Sequence, residues 1–386
     1  MSFPNLRVLM LSDVYFPRIN GVSTSIETFR GDLGSHGVSV RLVAPEYPEQ
    51  HHAPDTWRVP SRRLPFDPED RLMHWGSLGR TTRQLADAGI DLIHIQTPFT
   101  AQYAGVRLAR QRNLPVIATY HTHFEEYIHH YLPLLPKAAL RALARAIARH
   151  QCDKLSAVVV PSLAMKETLA GYGVRTPLHI VPTGIPVGHF GNGLGARFRA
   201  RYDIPAQRRV ALYVGRVAHE KNIGFLLQAM PHAIQRMPEL LLVIAGEGPA
   251  LHSLQKQAQT LGLGDAIRFV GYLDRNNELP DCYAAADVFA FASRTETQGL
   301  VLLEAMAAGL PVFALASLGT RSIIEPERGA IAAPDDPQAF GHQLAELVGD
   351  RSRLARLAHE GRRFAQEWSA PERAGQLAAL YRSLVL

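Results

Sequence analysis

A chain of 386 residues is too long for one ordinary hydrophobic core, and with 47% hydrophobic and 20% charged residues it suits two soluble globular domains. Two cysteines, Cys152 and Cys282, exclude a disulfide framework and point to a reducing compartment. The formal net charge of +6 fits an anionic substrate or lipid surface as well as a plain basic exterior; with no apolar run near ~20 residues and no leader-like N-terminus, a cytoplasmic chain with at most peripheral membrane contact is expected.

The first half repeats short continuous apolar runs, "RVLMLS", "VSVRLVAP", "LIHIQ", "PVIATYH", "AVVVPS" and "LHIVPTG", separated by helical patterns. Continuous rather than alternating apolar runs are the mark of parallel strands covered on both faces. After the first run comes "PRINGVSTSI", where Gly21 lets its amide approach a phosphate or forms a plain tight turn, and Ser23 or Thr24 caps the next helix. After the fourth comes "TYHTHFEEYIHHYLP", Thr119 to Pro133. There His121 and His123 alternate beside Glu125 and Glu126, which as chemistry alone leaves a zinc site and a polar surface both open. In "PKAALRALARAIARH", Lys137, Arg141, Arg145 and Arg149 recur every four residues while Leu140, Leu143 and Ile147 occupy another face. Such a helix suits an anionic membrane, or is an ordinary domain surface. No aromatic-interleaved basic motif points to nucleic acid.

The glycine- and charge-rich segment Val187 to Arg209 reads as an inter-domain linker, giving domains 1–187 and 188–368 and a C-terminal helical tail over 369–386. The second half repeats the α/β pattern with "VALYVG", "LLLVIAG", "IRFVG", "VFAFAS" and "PVFAL". In "VGRVAHEKNIGFLL", a strand ends at Gly215, and Arg216 and Lys221 stand just ahead of a helix. Two cations beside helix-terminal amides make a phosphate site, or they are surface charges; the Walker spacing is absent. "GNGLG" likewise lacks the dinucleotide fingerprint of a dehydrogenase. "SRTETQGLVLLEAMAAGLP" predicts a helix from near Gly299 to Gly309, with Pro311 beyond. Glu296 then precedes the first turn and Glu304 lies about one and a half turns in, so both carboxylates can face one cleft. A buried Glu304 needs hydroxyls or a cation, a ribose diol among them; the other reading is a helix-surface glutamate beside a charged neighbour. "EWSAPERAGQLAALYRSL" predicts two short helices broken near Pro371.

Together these stretches resemble the retaining family 4 glycosyltransferases of GT-B fold. "TETQGLVLLEAMAAGLPV" looks like the family's glutamate-x7-glutamate signature, "YVGRVAHEKNIGFLLQAM" like its donor-diphosphate stretch, and "SDVYFPRINGVSTSI" like its N-terminal glycine loop. The resemblance implies two Rossmann-like doubly wound domains facing each other across a cleft, with the final helix crossing back to the first. It implies that Arg216 and Lys221 hold the diphosphate, Gly21 adds an amide, Glu304 binds ribose and Glu296 the transferred sugar. Amides at Gly299 and Leu300 complete the contacts, and His121 matches the active-site histidine. "YHTHFEEY" is similar to diacylglycerol glucosyltransferases and to related sulfolipid and mannosyl enzymes. The expected activity is transfer of glucose from UDP-glucose to a diacylglycerol-like lipid at the inner membrane face. Alternatives are a mannosyl- or glucosyltransferase acting on a soluble or polymeric glycan, and a catalytically silent nucleotide-sugar-binding regulator. No D-x-D triplet occurs, so neither metal nor other cofactor is expected.

Overall fold

The computed structural model of the protein describes residues 5–48, 53–63, 71–121, 137–325 and 327–385. Contacts divide the chain into two compact units, Met1–Gly184 with Ala370–Leu386, and Ile185–Ser369. The chain crosses between them twice, and just inside the second unit the Ile185 amide donates to the Trp368 carbonyl at 2.9 Å.

The first unit carries β1 (Leu6–Leu11), β2 (Val38–Pro45), β3 (Thr56–Val59), a small antiparallel ribbon of β4 (Ser61–Arg63) and β5 (Arg71–Met73), then β6 (Leu92–Ile95), β7 (Val116–Thr119), β8 (Ala157–Val160) and β9 (Leu178–Ile180). Seven of these form a parallel sheet in the order β3-β2-β1-β6-β7-β8-β9. Leu9, Met10 and Leu11 are fully buried, as a strand covered on both faces requires. Part of that cover is the helix Gly21–Leu33, through Ile26 and Phe29. The final helix Ala370–Val385 adds Ala374, Leu377, Ala378 and Tyr381 to the same core. This helix is continuous, where two short helices broken at Pro371 are predicted. The break falls between Gln366 and Ala370, so Pro371 sits in the first turn, where its missing N–H is no loss.

The second unit carries β10 (Arg209–Val214), β11 (Leu240–Ala245), β12 (Ile267–Gly271), β13 (Val288–Phe291), β14 (Val312–Ala314) and β15 (Ala330–Ala332), all parallel, in the order β12-β11-β10-β13-β14-β15. Both sheets are doubly wound, with the order reversing beside the first strand of each. The segment Val187 to Arg209, read in the sequence as a linker, is part of this packed body. It forms the helices Val187–Phe190 and Gly195–Arg201, with Phe190 and Phe198 in the core. Its glycines serve close approach rather than flexibility: a Cβ on Gly193 lies 2.0 Å from the Pro280 carbonyl oxygen, and one on Gly195 lies 2.3 Å from that of Ala284.

Candidate active site

In the second unit the sheet order reverses between β10 and β13, so the loops leaving their carboxyl ends bound the crevice where ligands of open α/β sheets bind. The loop after β10 runs through Gly215 and Arg216 to a 3-10 turn over His219–Lys221, and Asn222, at φ +54°, opens the helix Ile223–Arg236. The loop after β13 leads through Glu296 to Gly299, at φ +93°, which opens the helix Leu300–Ala308. Neither helix has a side-chain cap, so two sets of first-turn amides are presented at one switch point. Gly299 is fixed on two counts, its left-handed φ and a Cβ position 3.0 Å from Thr320 Cγ2.

Side-chain contacts join the loops. Lys221 Nζ donates to Glu296 Oε1 at 2.5 Å, Asn222 Nδ2 to the Ala292 carbonyl at 3.1 Å, and Thr295 Oγ1 to the Glu220 carbonyl at 3.3 Å. Arg216 lies 3.8 Å from Glu220, with two-fifths of its side chain exposed. Arg216, Lys221, Glu296, Gly299 and Leu300 are therefore gathered at one end of one sheet, and the lysine and glutamate expected to serve different parts of a ligand are bonded to each other.

Glu304 sits within the Leu300–Ala308 helix at 2% exposure, which rules out the helix-surface reading. Its partners are a cation and a hydroxyl: Arg275 Nη2 donates to Oε1 at 2.6 Å and the Tyr283 hydroxyl to Oε2 at 3.0 Å. The Glu304 charge raises the Arg275 guanidinium above its ordinary range, while burial, and then Glu304, push the Tyr283 phenol far upward. Neither Arg275 nor Tyr283 is singled out by the sequence patterns. The one signal for them is position, since "GYLDRNNELPDCY" follows the carboxyl end of β12 as the other two loops follow theirs.

Gly21 and His121 lie in the first unit. Gly21 begins the helix Gly21–Leu33, and the cap is Asn20 rather than Ser23 or Thr24: Ser23 N donates to Asn20 Oδ1 and Asn20 N to Ser23 Oγ, each at 2.9 Å. This reciprocal capping box makes Ser23 the third residue of the first turn. A Cβ on Gly21 meets nothing within 4 Å, and its φ is not positive, so neither packing nor a tight turn demands glycine there. His121 follows β7 and donates from Nε2 to Gln96 Oε1 at 2.9 Å; burial pushes its imidazole down to about 4. His123, Glu125 and Glu126, and with them most of the zinc alternative and the "YHTHFEEY" pattern, lie outside the described residues.

Beneath His121, His94 on β6 is fully buried, bridging the Tyr381 hydroxyl and Thr119 Oγ1 at 2.7 Å each. Burial, with His121 adding to it, pushes His94 down to about 3. At the switch point between β1 and β6, Asp13 accepts from Thr97, Thr100 and the Ala101 amide, and burial pushes it up to about 6. The histidines are neutral in the fold but charge in the unfolded chain below its ordinary 6.5, so stability falls as pH drops through 6.5 toward 4. Asp13 acts oppositely between 6 and 3.8, where the fold holds the extra proton. The expected net result is a melting temperature lower at pH 5 than at pH 7, with a shallower pH slope in His94→Asn, measured by thermal denaturation across that range.

The helix Lys137–Cys152 differs from its predicted face pattern. Leu140, Ala144, Ala148 and Cys152 form the buried stripe, while Leu143 and Ile147 are 45% and 42% exposed on one side of it and Arg141, Arg145 and Arg149 are exposed on the other. Of the three larger apolar side chains predicted to share a face, only Leu140 turns inward. Among the described residues no helix is long and apolar enough to cross a membrane.

Residues 19–189 match the family model for "Glycosyltransferase Family 4" and residues 196–364 that for "Glycosyl transferases group 1". The chain is 32% identical over 320 residues to an alpha-monoglucosyldiacylglycerol synthase of Streptococcus pneumoniae (strain ATCC BAA-255 / R6), a span of 80% of this chain and 71% of that protein. It is 29% identical to a GDP-mannose-dependent alpha-mannosyltransferase of Mycobacterium tuberculosis (strain CDC 1551 / Oshkosh), over 93% of this chain and 90% of the other. Its fold is similar to that of sucrose-phosphate synthase from Thermosynechococcus elongatus, with a TM-score of 0.80 at 23% identity, covering 98% of this chain and 99% of that one.

Proposed function

Because the chain belongs to glycosyltransferase family 4, we propose that it transfers glucose from UDP-glucose to a diacylglycerol-like lipid, with retention of the anomeric configuration, at the cytoplasmic face of a membrane. The observation that carries the acceptor is the 32% identity to the pneumococcal alpha-monoglucosyldiacylglycerol synthase. The exposed Leu143 and Ile147, on a helix that exposes Arg141, Arg145 and Arg149 along another side, support a peripheral seat on an anionic bilayer, apolar side chains entering and cations meeting headgroups.

In this reading the bond from the anomeric carbon to the diphosphate breaks with its electron pair leaving on phosphate. Arg216, Lys221 and the first-turn amides at Gly299 and Leu300 take up that charge, most strongly in the transition state. The acceptor hydroxyl attacks from the face the diphosphate leaves, and its proton passes to a donor phosphate oxygen. Glu296 contacts the transferred sugar and Glu304 accepts from the ribose hydroxyls; for His121 and Gly21, in the first unit, the family resemblance is what supports a part in donor binding. No metal is assigned a part.

The test is an assay of the purified protein with UDP-glucose and GDP-mannose against diacylglycerol in mixed micelles and against soluble sugars, products read by mass spectrometry. Glucosylated diacylglycerol, formed equally with EDTA present, is the expected result. Use of soluble sugars with lipids ignored overturns the acceptor, and activity lost to EDTA and restored by a divalent ion overturns metal independence. A mannosylated product would instead support the second reading, which the M. tuberculosis relative favours.

A further inference from the structure

We propose that Arg275 is a positioning residue for nucleotide binding, its guanidinium setting the orientation of the Glu304 carboxylate that receives the ribose hydroxyls. The proposal rests on the reading of Glu304 as the ribose acceptor. A carboxylate offers about four lone-pair sites, two on each oxygen. Arg275 takes one on Oε1 and Tyr283 one on Oε2, so the carboxylate is gripped at both ends and its plane is set. One site on each oxygen remains, and a vicinal diol brings two donors of matching spacing. Arg275 adds charge balance that Tyr283 cannot, because Glu304 is buried and an unbalanced buried carboxylate is costly.

The cation is itself held by a fixed loop. Asp274 Oδ1 accepts from the Asn276 and Asn277 amides, both at 3.1 Å, and the Asp274 amide donates to Glu278 Oε2 at 2.9 Å. From the other side, His189 Nε2 donates to the Arg275 carbonyl at 2.8 Å. A residue pinned in this way can impose a direction on its partner. His189 lies in the segment that sequence composition assigns to a linker, which ties that segment to the site.

The experiment compares binding of UDP and 2′-deoxy-UDP, and of GDP and 2′-deoxy-GDP, by calorimetry to the wild type, Arg275→Met, Arg275→Lys and Glu304→Gln, each held well below its melting temperature. The wild type is expected to prefer the ribonucleotide by about 10-fold or more, the worth of a hydrogen bond to a charged group. Arg275→Met is expected to bind ribo and deoxy forms alike, and Arg275→Lys to regain part of the preference. A role confined to folding would weaken both forms together and leave their ratio as in the wild type, and that result overturns the proposal. If Glu304→Gln keeps the wild-type ratio, the ribose reading itself fails; if Glu304→Gln loses it while Arg275→Met does not, only the role of Arg275 falls.

Discussion

Lys221→Ala is expected to lower kcat by about 10²–10³-fold, the usual cost of removing one preorganised donor from a site where negative charge develops. The substitution does two things, because Lys221 is bonded to Glu296 at 2.5 Å and both side chains are about four-fifths buried. It removes a cation from the departing diphosphate, and it leaves a carboxylate uncompensated close to where that diphosphate binds. Like charges a few ångströms apart, poorly screened, repel strongly. Adding Glu296→Gln to Lys221→Ala should therefore recover donor affinity while leaving kcat low, since the repulsion goes but the cation does not return. Arg216, more exposed and only 3.8 Å from Glu220, should show a loss more sensitive to salt. Donor titrations and single-turnover rates for the four members of the Lys221–Glu296 cycle check this. Wild-type turnover in Lys221→Ala, or restored turnover in the double variant, would remove Lys221 from the leaving-group role.

Much of this site is legible in the sequence, for a physical reason. Parallel strands covered on both faces are written as unbroken apolar runs, and the loop leaving each run falls at the carboxyl edge of the sheet. That places Arg216 and Lys221 after β10 and Glu296 after β13, where the structure brings them together. Short edge strands give no such run: β3 is "TWRV" and β15 is "AIA", and neither is predicted by the apolar pattern. The segment Val187 to Arg209 misleads because glycine has two uses. Composition cannot separate a glycine that lets a chain bend from one, such as Gly193, that lets two backbones touch. Arg275 and Tyr283 are invisible for a third reason. They stand 29 and 21 residues before Glu304, and only the return of the chain to the sheet makes them its partners. The sequence shows that a buried glutamate needs a partner, not which residue supplies it.

Arg275→Met is expected to cost about 3–5 kcal/mol of stability, whereas Glu304→Met, which deletes the same ion pair, should cost less, about 1–3 kcal/mol. The two partners are not equally buried: Glu304 is 2% exposed, and the Arg275 side chain is 31% exposed. Removing the arginine strands a carboxylate in the interior with one hydroxyl for company. Removing the glutamate leaves a guanidinium that turns its free end toward water, together with a buried Tyr283 hydroxyl whose remaining acceptor is the Val301 carbonyl at 3.5 Å. The penalty of an unpaired charge depends on how completely that charge is cut off from solvent, so the member deeper in the fold is the costly one to orphan. Urea denaturation of both variants, with equal m-values confirming the same unfolding transition, measures the difference. Equal losses, or a larger loss for Glu304→Met, would mean that the carboxylate finds water or another partner when Arg275 is gone. The loop after β12 would then no longer be what holds the Glu304 carboxylate aimed inside the second unit.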